Sequence, residues 1–237
     1  MAEPEEIFRR SRELLGETDS LAGRRVLVSA GGTREPLDAV RFLGNRSSGR
    51  MGVALAEEAR RRGADVTLLA ANLAVQPPRG IEVIETPTAA AMLDEVLAHA
   101  DADVVLMAAA VADYRPAESV AEKRPKDERA WQVTLEPTTD VLRTLGERRT
   151  NGQVLFGFAA EHGDQGLAQA RAKLEHKRID LVVYNDVSRG DIGFDAGDNE
   201  VVLITATGER RVTKAPKDQI AMTIVDTAEE MLRERAR

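Results

Sequence analysis

Four segments of this 237-residue chain hold the residue types from which a chemical site could be built. In SAGGTREPLDAVRFLGNRSSGRMG an apolar run ends in Gly31 and Gly32, where backbone can come close to a ligand. Ser47 and Ser48 stand where a helix should begin. They can cap it, and the free N–H groups and dipole of such a helix end attract an anion. Arg34, Arg41 and Arg46 add positive charge. The cluster reads either as a phosphate cradle or as a tight turn with an ordinary cap. Asn45 precedes the helix and reads either as a turn residue or as an amide whose donor and acceptor orient an acyl group.

The second segment is AAAVADYRPAESVAEKRPK. Small residues, Ala109 and Ala110 among them, leave room at a strand end for a flat ring whose edge the backbone could read. Asp113 could take a hydroxyl or a metal. The stretch from Lys123 to Lys126 could fold over phosphates, or serve as an exposed charged loop. In the third segment Phe158 either stacks on a base or fills core. Lys173 and Lys177 share one helix face, as a polyphosphate contact or a solvated surface. The fourth, YNDVSRGDIGFDAGDNEV, is dense in Gly, Asp and Asn and reads as a loop without the spacing of a calcium-binding EF-hand.

The elements that must position these residues follow from periodicity. RRVLVSAGG, ADVTLLAA, IEVIET, ADVVLMAAAV, QVLFGFAA and DLVVYND are short apolar runs of the kind that form buried parallel strands. SSGRMGVALAEEARRRG is an amphipathic helix stopped by Gly63. TAAAMLDEVLAHA, TDVLRTLGERR (capped by Thr139 or Asp140), GLAQARAKLEHKRID and PKDQIAMTIVDTAEEMLRERAR are further helices. WQVTLEP reads as an edge strand, and VVLITATGERRVTK as a hairpin about Thr207, Gly208 and Glu209. The alternation predicts a doubly wound α/β sheet. Such sheets bind ligands outside the carboxyl ends of their strands, which points to GGTREP, ANLAV, AAVADYR and the turn after VLFGFA. Residues 1 to 22 read as an N-terminal linker segment with few apolar anchors, and residues 23 to 237 as one domain.

Composition narrows the chemistry. Lys+Arg 33 against Asp+Glu 40 leaves a net charge of −7, a poor match to nucleic acid or a membrane surface, so any anionic ligand needs a local basic cluster. With no Cys there is no disulfide, thiolate nucleophile or Cys-ligated metal, and three His make a His-rich zinc site a poor candidate. No apolar run approaches the roughly 18 residues of a membrane span, and the start is acidic where a signal peptide is basic. A cytoplasmic protein is expected. GxGxxG is absent, which counts against a dinucleotide-dependent oxidoreductase.

Taken in order, AGGTREPLDAVRFLGNRSSGRMG, AAAVADYRP with Glu122-Lys123 beyond it, GFAAE, the KxxxK lysines, and ND followed by GFDAGDNEV resemble the phosphopantothenate–cysteine ligase family. This is the synthetase half of bacterial bifunctional coenzyme A biosynthesis proteins, and the resemblance runs from about residue 23 to the end. MAEPEEI resembles the segment that joins the upstream decarboxylase half. The resemblance implies a Rossmann-like, mostly parallel sheet with a β-hairpin/edge-strand extension for dimerisation. It also implies that the carboxylate of 4′-phosphopantothenate attacks the α-phosphate of CTP, with Mg²⁺, and that L-cysteine then displaces CMP from the acyl-cytidylate. A module that binds nucleotide or pantothenate without turnover is the alternative.

By motif, the resemblance assigns Asn45 to the acyl-cytidylate and Lys123 to a flap over the triphosphate. Asp113, with Ala109 and Ala110, falls to the nucleotide. Thr139, Asp140, Val141 and Leu142 fall to the nucleotide-binding turn. Phe158, Lys173 and Lys177 fall to base and phosphate, and Arg41 to the pantothenate phosphate near a homodimer interface. Two positions depart from the family's pattern. Lys123-Arg124-Pro125-Lys126 replaces Lys-Ile-Lys-Lys, and Thr139-Asp140 replaces Pro-Asp. The bacterial-style motifs favour CTP, whereas other members use ATP.

Overall fold

The computed structural model describes residues 16–161, 163–186 and 198–236. In chain order the strands are β1 (Arg25–Gly31), β2 (Arg34–Pro36), β3 (Phe42–Gly44), β4 (Asp65–Ala71), β5 (Glu82–Glu85), β6 (Val104–Met107), β7 (Tyr114–Pro116), β8 (Leu135–Pro137), β9 (Val154–Glu161), β10 (Leu181–Asp186), β11 (Asp198–Thr205) and β12 (Gly208–Pro216). The helices are α1 (Arg50–Arg61), α2 (Ala89–Ala98), α3 (Val141–Arg148), α4 (Gly163–Lys177) and α5 (Lys217–Arg235).

Eight strands form one sheet in the order β5-β4-β1-β6-β9-β10-β11-β12. The six from β5 to β10 are parallel, and β11 and β12 extend the sheet antiparallel. The chain starts in the middle at β1, winds outward through β4 to β5, then returns to β6 on the other flank. That reversal between β1 and β6 is the switch point of a doubly wound, Rossmann-like sheet. The apolar runs of β1, β4, β6, β9 and β10 are continuous because helices cover both faces. Leu55, Ala56 and Ala59 of α1 and Ile220, Ala221 and Ile224 of α5 share one buried cluster with Val26, Val28 and Ala30 of β1. Met92 and Val96 of α2, Val141 and Leu145 of α3, and Ala170 and Leu174 of α4 pack on Leu27, Leu69, Val105 and Leu155. Each fully buried Leu or Val contributes about 1.5–3 kcal/mol of transfer free energy.

Several details depart from the sequence reading. WQVTLEP does not join the main sheet. Its Leu135–Pro137 pairs only with Tyr114–Pro116, in a ribbon apart from it. Pro137 has no N–H, and a three-residue strand offers too few bonds to hold a sheet position. A second unforeseen ribbon joins β2 and β3. β6 stops at Met107, after which Ala110 makes an isolated bridge to Gly32. Leu21 falls within the expected linker, yet it is 2% exposed, and Leu21 N–H donates to Arg62 O at 2.9 Å. The exposed large apolar side chains Val40, Phe42, Tyr114 and Leu135 lie on or beside the two ribbons. β12, the outer edge of the sheet, instead carries exposed Glu209, Arg210, Arg211 and Lys214, charges that discourage edge-to-edge pairing.

Candidate functional site

A cavity of about 420 Å³ opens at the carboxyl ends of the parallel strands, over the switch point. One wall is the loop from Asn45 to Gly49 with the first turn of α1. A second is Ala108, Ala109, Ala110 and Asp113, just past β6. The floor continues through Phe158, Ala159, Ala160 and Glu161 of β9 to Val183 and Asn185 of β10, Asn199 of β11 and Lys217 of α5.

Local chemistry explains the first wall. α1 is capped by Gly49 at φ 80, with no side-chain cap. The expectation that Ser47 or Ser48 caps α1 is corrected: the N-cap position falls to Gly49, and Ser47 Oγ accepts the Gly49 N–H at 3.4 Å. A side chain at Gly49 would strike Leu73, with a Cβ 2.3 Å from its Cδ2. The turn therefore favours glycine, which carries the positive φ without strain and leaves Leu73 in place. The absence of a side-chain cap leaves the helix end to the cavity. Arg50, Met51 and Gly52 line it, and first-turn N–H groups have no partner within a helix. There is no acidic residue in that turn to neutralise the dipole.

The second wall is held by backbone. Ala110 N–H donates to Gly31 O at 2.8 Å, and Ala109 N–H to the buried Ser29 Oγ at 3.1 Å. Ala112 N–H donates to Thr33 Oγ1 at 2.9 Å. Asn45 Nδ2 reaches across from the first wall to Val111 O at 3.2 Å, which joins the two motifs. Asp113 is exposed at the rim. Three lining cations, Arg46, Arg50 and Lys217, face two carboxylates, Asp113 and Glu161. Glu161 already pairs with Lys173 at 2.8 Å. The cleft is thus locally basic in an acidic chain.

The structure gathers Asn45, Ser47, Ser48, Ala109, Ala110, Asp113 and Phe158 around this cavity and leaves the other candidates outside its lining. Gly31 and Gly32 are packed against chain, not open space: a Cβ would lie 1.9 Å from Ala71 O at Gly31 and 2.7 Å from Asn45 O at Gly32. Asp140 caps α3 through the Arg143 N–H at 3.0 Å and pairs with Lys177 at 3.3 Å. Val141 and Leu142 pack in the second core, and Thr139 lies in a small neighbouring groove beside Arg115. Lys173 and Lys177 are held by acids at the ends of β9 and α3 rather than standing free.

Arg41 and Lys123 belong to a separate hub. Asp38, 4% exposed, accepts the N–H groups of Val40 and Arg41 at 2.8 and 2.7 Å and the Arg41 guanidinium at 2.8 Å. It also accepts Arg124 N–H at 3.3 Å, and Arg41 in turn donates to Arg124 O at 3.3 Å. Arg41 and Arg124 both face the Trp131 ring, at 5.4 and 4.8 Å from its centroid. The loop that carries exposed Lys123 is therefore anchored one residue away from it. Burial works to raise the Asp38 pKa. The N–H groups of Val40, Arg41 and Arg124 and the Arg41 charge outweigh it and hold the carboxyl below its ordinary range. Arg124 lends this anchor its backbone N–H and C=O, and its side chain adds the contact with Trp131.

Sequence reasoning missed Asn185, Asn199 and Lys217. Applying the strand-end rule to DLVVYND as well would have found Asn185. Residues 187–197 of the fourth segment, where a calcium loop was considered, lie outside the described residues.

Sheet order, switch point and cleft together define a doubly wound α/β domain with a cavity at its strand ends, where such sheets take their ligands. The chain belongs to the family described as DNA/pantothenate metabolism flavoprotein C-terminal domain, which it matches over residues 21–232. It is 43% identical over 242 residues to the coenzyme A biosynthesis bifunctional protein CoaBC of Mycobacterium tuberculosis, covering 95% of this chain and 58% of that protein. It is 40% identical over 215 residues to CoaBC of Bacillus subtilis, covering 89% of this chain and 52% of that protein. The chain thus spans little more than half the length of the curated relatives it matches. A crystal structure of the C-terminal domain of CoaBC superposes with a TM-score of 0.78 at 35% identity, covering 92% of this chain and 100% of that one.

Proposed function

We propose that this domain is a phosphopantothenate–cysteine ligase of coenzyme A biosynthesis, which joins 4′-phosphopantothenate to L-cysteine with CTP. The observation that carries the reading is the single cleft in which two distant motifs meet, the Asn45–Gly52 turn and the Ala108–Asp113 strand end. Family membership and the CoaBC relatives support it.

A carboxylate must be given a good leaving group before an amine can displace it. Its oxygen attacks the α-phosphorus of the nucleotide, a P–O bond forms, and the bond to pyrophosphate breaks. Cysteine nitrogen then forms the C–N bond, loses a proton, and CMP departs. Neither step asks for a protein nucleophile, which agrees with the chemistry of phosphoryl transfer, where positioning and charge stabilisation dominate. The uncapped end of α1, with Arg46 and Arg50, supplies the anion site for phosphates. Asn45, tied to Val111 O, orients the acyl group. Lys123 reaches the triphosphate from its anchored loop, and Arg41 the pantothenate phosphate.

Among the described residues no group of three or more His, Asp or Glu could hold a metal by itself. Asp113 at the rim is the carboxylate that would hold a nucleotide-borne Mg²⁺, which when bound would supply neutralisation of the charge at phosphorus. The apolar ribbon residues Phe42, Tyr114 and Leu135 suit burial against a second copy, as a homodimer with Arg41 beside the interface. The CoaBC relatives suggest a decarboxylase domain fused upstream. Among the described residues no helix is long and apolar enough to cross a membrane, and a cytoplasmic location is proposed.

The test is pyrophosphate release on mixing the protein with 4′-phosphopantothenate and CTP, with CMP appearing only when cysteine is added. Parallel calorimetric titrations with CTP and ATP fix the nucleotide. Nucleotide binding without pyrophosphate would leave a binding module in place of a ligase.

A further inference from the structure

The cleft wall from Ala108 to Asp113 lies past the end of β6. Its hold at Asp113 comes from Thr138. Thr138 Oγ1 donates to Ala112 O at 2.6 Å, and Thr138 N–H donates to Asp113 O at 2.9 Å. Those two carbonyls belong to the peptide planes on either side of the Asp113 Cα. A peptide is planar, so fixing both planes fixes φ and ψ at Asp113, and with them the direction in which its side chain leaves the backbone. On the other flank the fully buried Thr33 accepts Ala112 N–H through Oγ1 at 2.9 Å. The Asp113 carboxylate itself lines the cavity and has no hydrogen bond or ion pair among the described residues. Its backbone is pinned while its charge is left for a ligand.

We infer that Thr138 is a positioning residue that aims the Asp113 carboxylate at the nucleotide, in the ligase reading on which the inference rests. The ordinary duties of a threonine at this place are already filled. α3 has its own cap, Asp140, so the Thr138 hydroxyl is not needed to start that helix. Tyr114–Pro116 pairs with Leu135–Pro137 without the hydroxyl, and the Thr138 amide adds its bond to Asp113 whatever the side chain. What the hydroxyl alone holds is the carbonyl just before Asp113. Ala112 is 4% exposed, so that carbonyl has little water to replace the lost donor. A buried carbonyl without a partner is costly. Its peptide turns toward another donor and carries Asp113 with it. Asp113 precedes β7 and Thr138 follows β8, so the clamp closes the cleft end of this ribbon, and the loop with Lys123 leaves from its other end. A carboxylate aimed in advance loses less freedom when its ligand arrives.

The test is a double-mutant cycle read by calorimetric titration with CTP in the presence of Mg²⁺. Thr138→Val keeps the shape and removes the donor. It should raise the CTP Kd about fivefold, whereas Thr138→Ser keeps the hydroxyl and should stay within about twofold of wild type. In an Asp113→Asn background the charge to be aimed is gone, and there Thr138→Val should change the Kd by less than about twofold. A threonine that only holds the fold would weaken both backgrounds alike. The KM for cysteine should stay within about twofold of wild type in Thr138→Val. Melting curves establish that each variant is folded, and if Thr138→Val is not, the cycle is run with Thr138→Ala. Three results overturn this inference while the ligase reading stands. They are an unchanged CTP Kd in Thr138→Val, a loss that persists in full beside Asp113→Asn, or an Asp113→Asn that binds CTP as wild type does. Wild-type protein that neither binds CTP nor releases pyrophosphate overturns both.

Discussion

The two ends of the central sheet treat charge in opposite ways. At the amino ends Arg24 pairs with Asp103 at 3.0 Å, Arg25 with Asp101, and Arg149 and Arg235 both with Asp180. Asp180 also accepts Leu155 N–H at 2.8 Å. That end has its own hollow, of about 220 Å³, lined by Asp101, Asp103, Gln153 and Arg235. Its acids and bases largely answer one another, so the hollow has little left to offer a ligand. At the carboxyl ends the walls are glycine, alanine, serine and amide groups, with Arg46, Arg50 and Lys217 facing a larger space. Concavity occurs at both ends. The cleft at the carboxyl ends is set apart by its size and by Arg46 and Arg50 in its lining, whereas the arginines of the other end are paired with acids.

The contrast can be broken most directly at Asn45. Asn45→Ala should cut product formation by about 100-fold, as for loss of one orienting group at a reacting centre. Its melting temperature should shift by less than about 1 °C, because the residue is exposed. Trapping of labelled acyl-nucleotide should show the intermediate accumulating, and a loss of stability in step with activity would count against the role. Asp180→Ala is the mirror experiment at the other end. It strands Arg149, Arg235 and an amide together, and should cost about 2 kcal/mol, or roughly 4–8 °C of melting temperature. The nucleotide KM should stay within about twofold of wild type. A large rise in that KM would mean the two ends are coupled.

Lys123→Gln should slow pyrophosphate release by about tenfold while leaving cysteine KM unchanged, which rapid-quench assays can resolve. The anchor beside it has a built-in reporter, since Trp131 is the sole tryptophan in the chain. Asp38 holds a lowered pKa when the loop is docked, so docking stabilises fully above the unfolded carboxyl's pKa of about 3.9 and weakens as pH falls through the lower folded value. Trp131 emission should therefore be flat from neutral pH to about 5 and change only below about 4. Asp38→Asn should give the altered emission at pH 7, and a transition near neutrality would contradict the anchor. The smallest effect belongs to Lys173→Ala. It breaks one half-exposed pair with Glu161 and should shift stability by less than about 1 kcal/mol. A nucleotide KM raised about threefold or more would show that Lys173 leaves Glu161 for a phosphate.

Much of this was open to inspection in the sequence, for local reasons. The two-sided apolar runs announced parallel strands, and the spacing of Leu55, Ala56 and Ala59 announced the helix packed on them. The alanines past β6 announced a backbone wall, whereas Gly31 and Gly32, read as a close approach to ligand, pack against chain instead. The two ribbons escaped because three-residue strands leave no periodicity to read. The cap of α1 was misread because serine and glycine are both good caps, and only the close approach of Leu73 decides between them.

By itself the sequence determined the alternation of strands and helices, the doubly wound class and the motifs that place the chain in its family. Those depend on side-chain period and turn chemistry over a few neighbouring residues. The tertiary structure alone decided which cations remain available. Whether Lys173 meets Glu161, Lys177 meets Asp140, or Arg41 meets Asp38 is settled by which strand ends lie side by side. It also decided that Asn185 and Lys217 share a cavity with Asn45, more than a hundred residues away. A charge or an amide acts on what lies within a few ångströms of it, and the chain's own spacing carries no record of that distance until the sheet has closed its order.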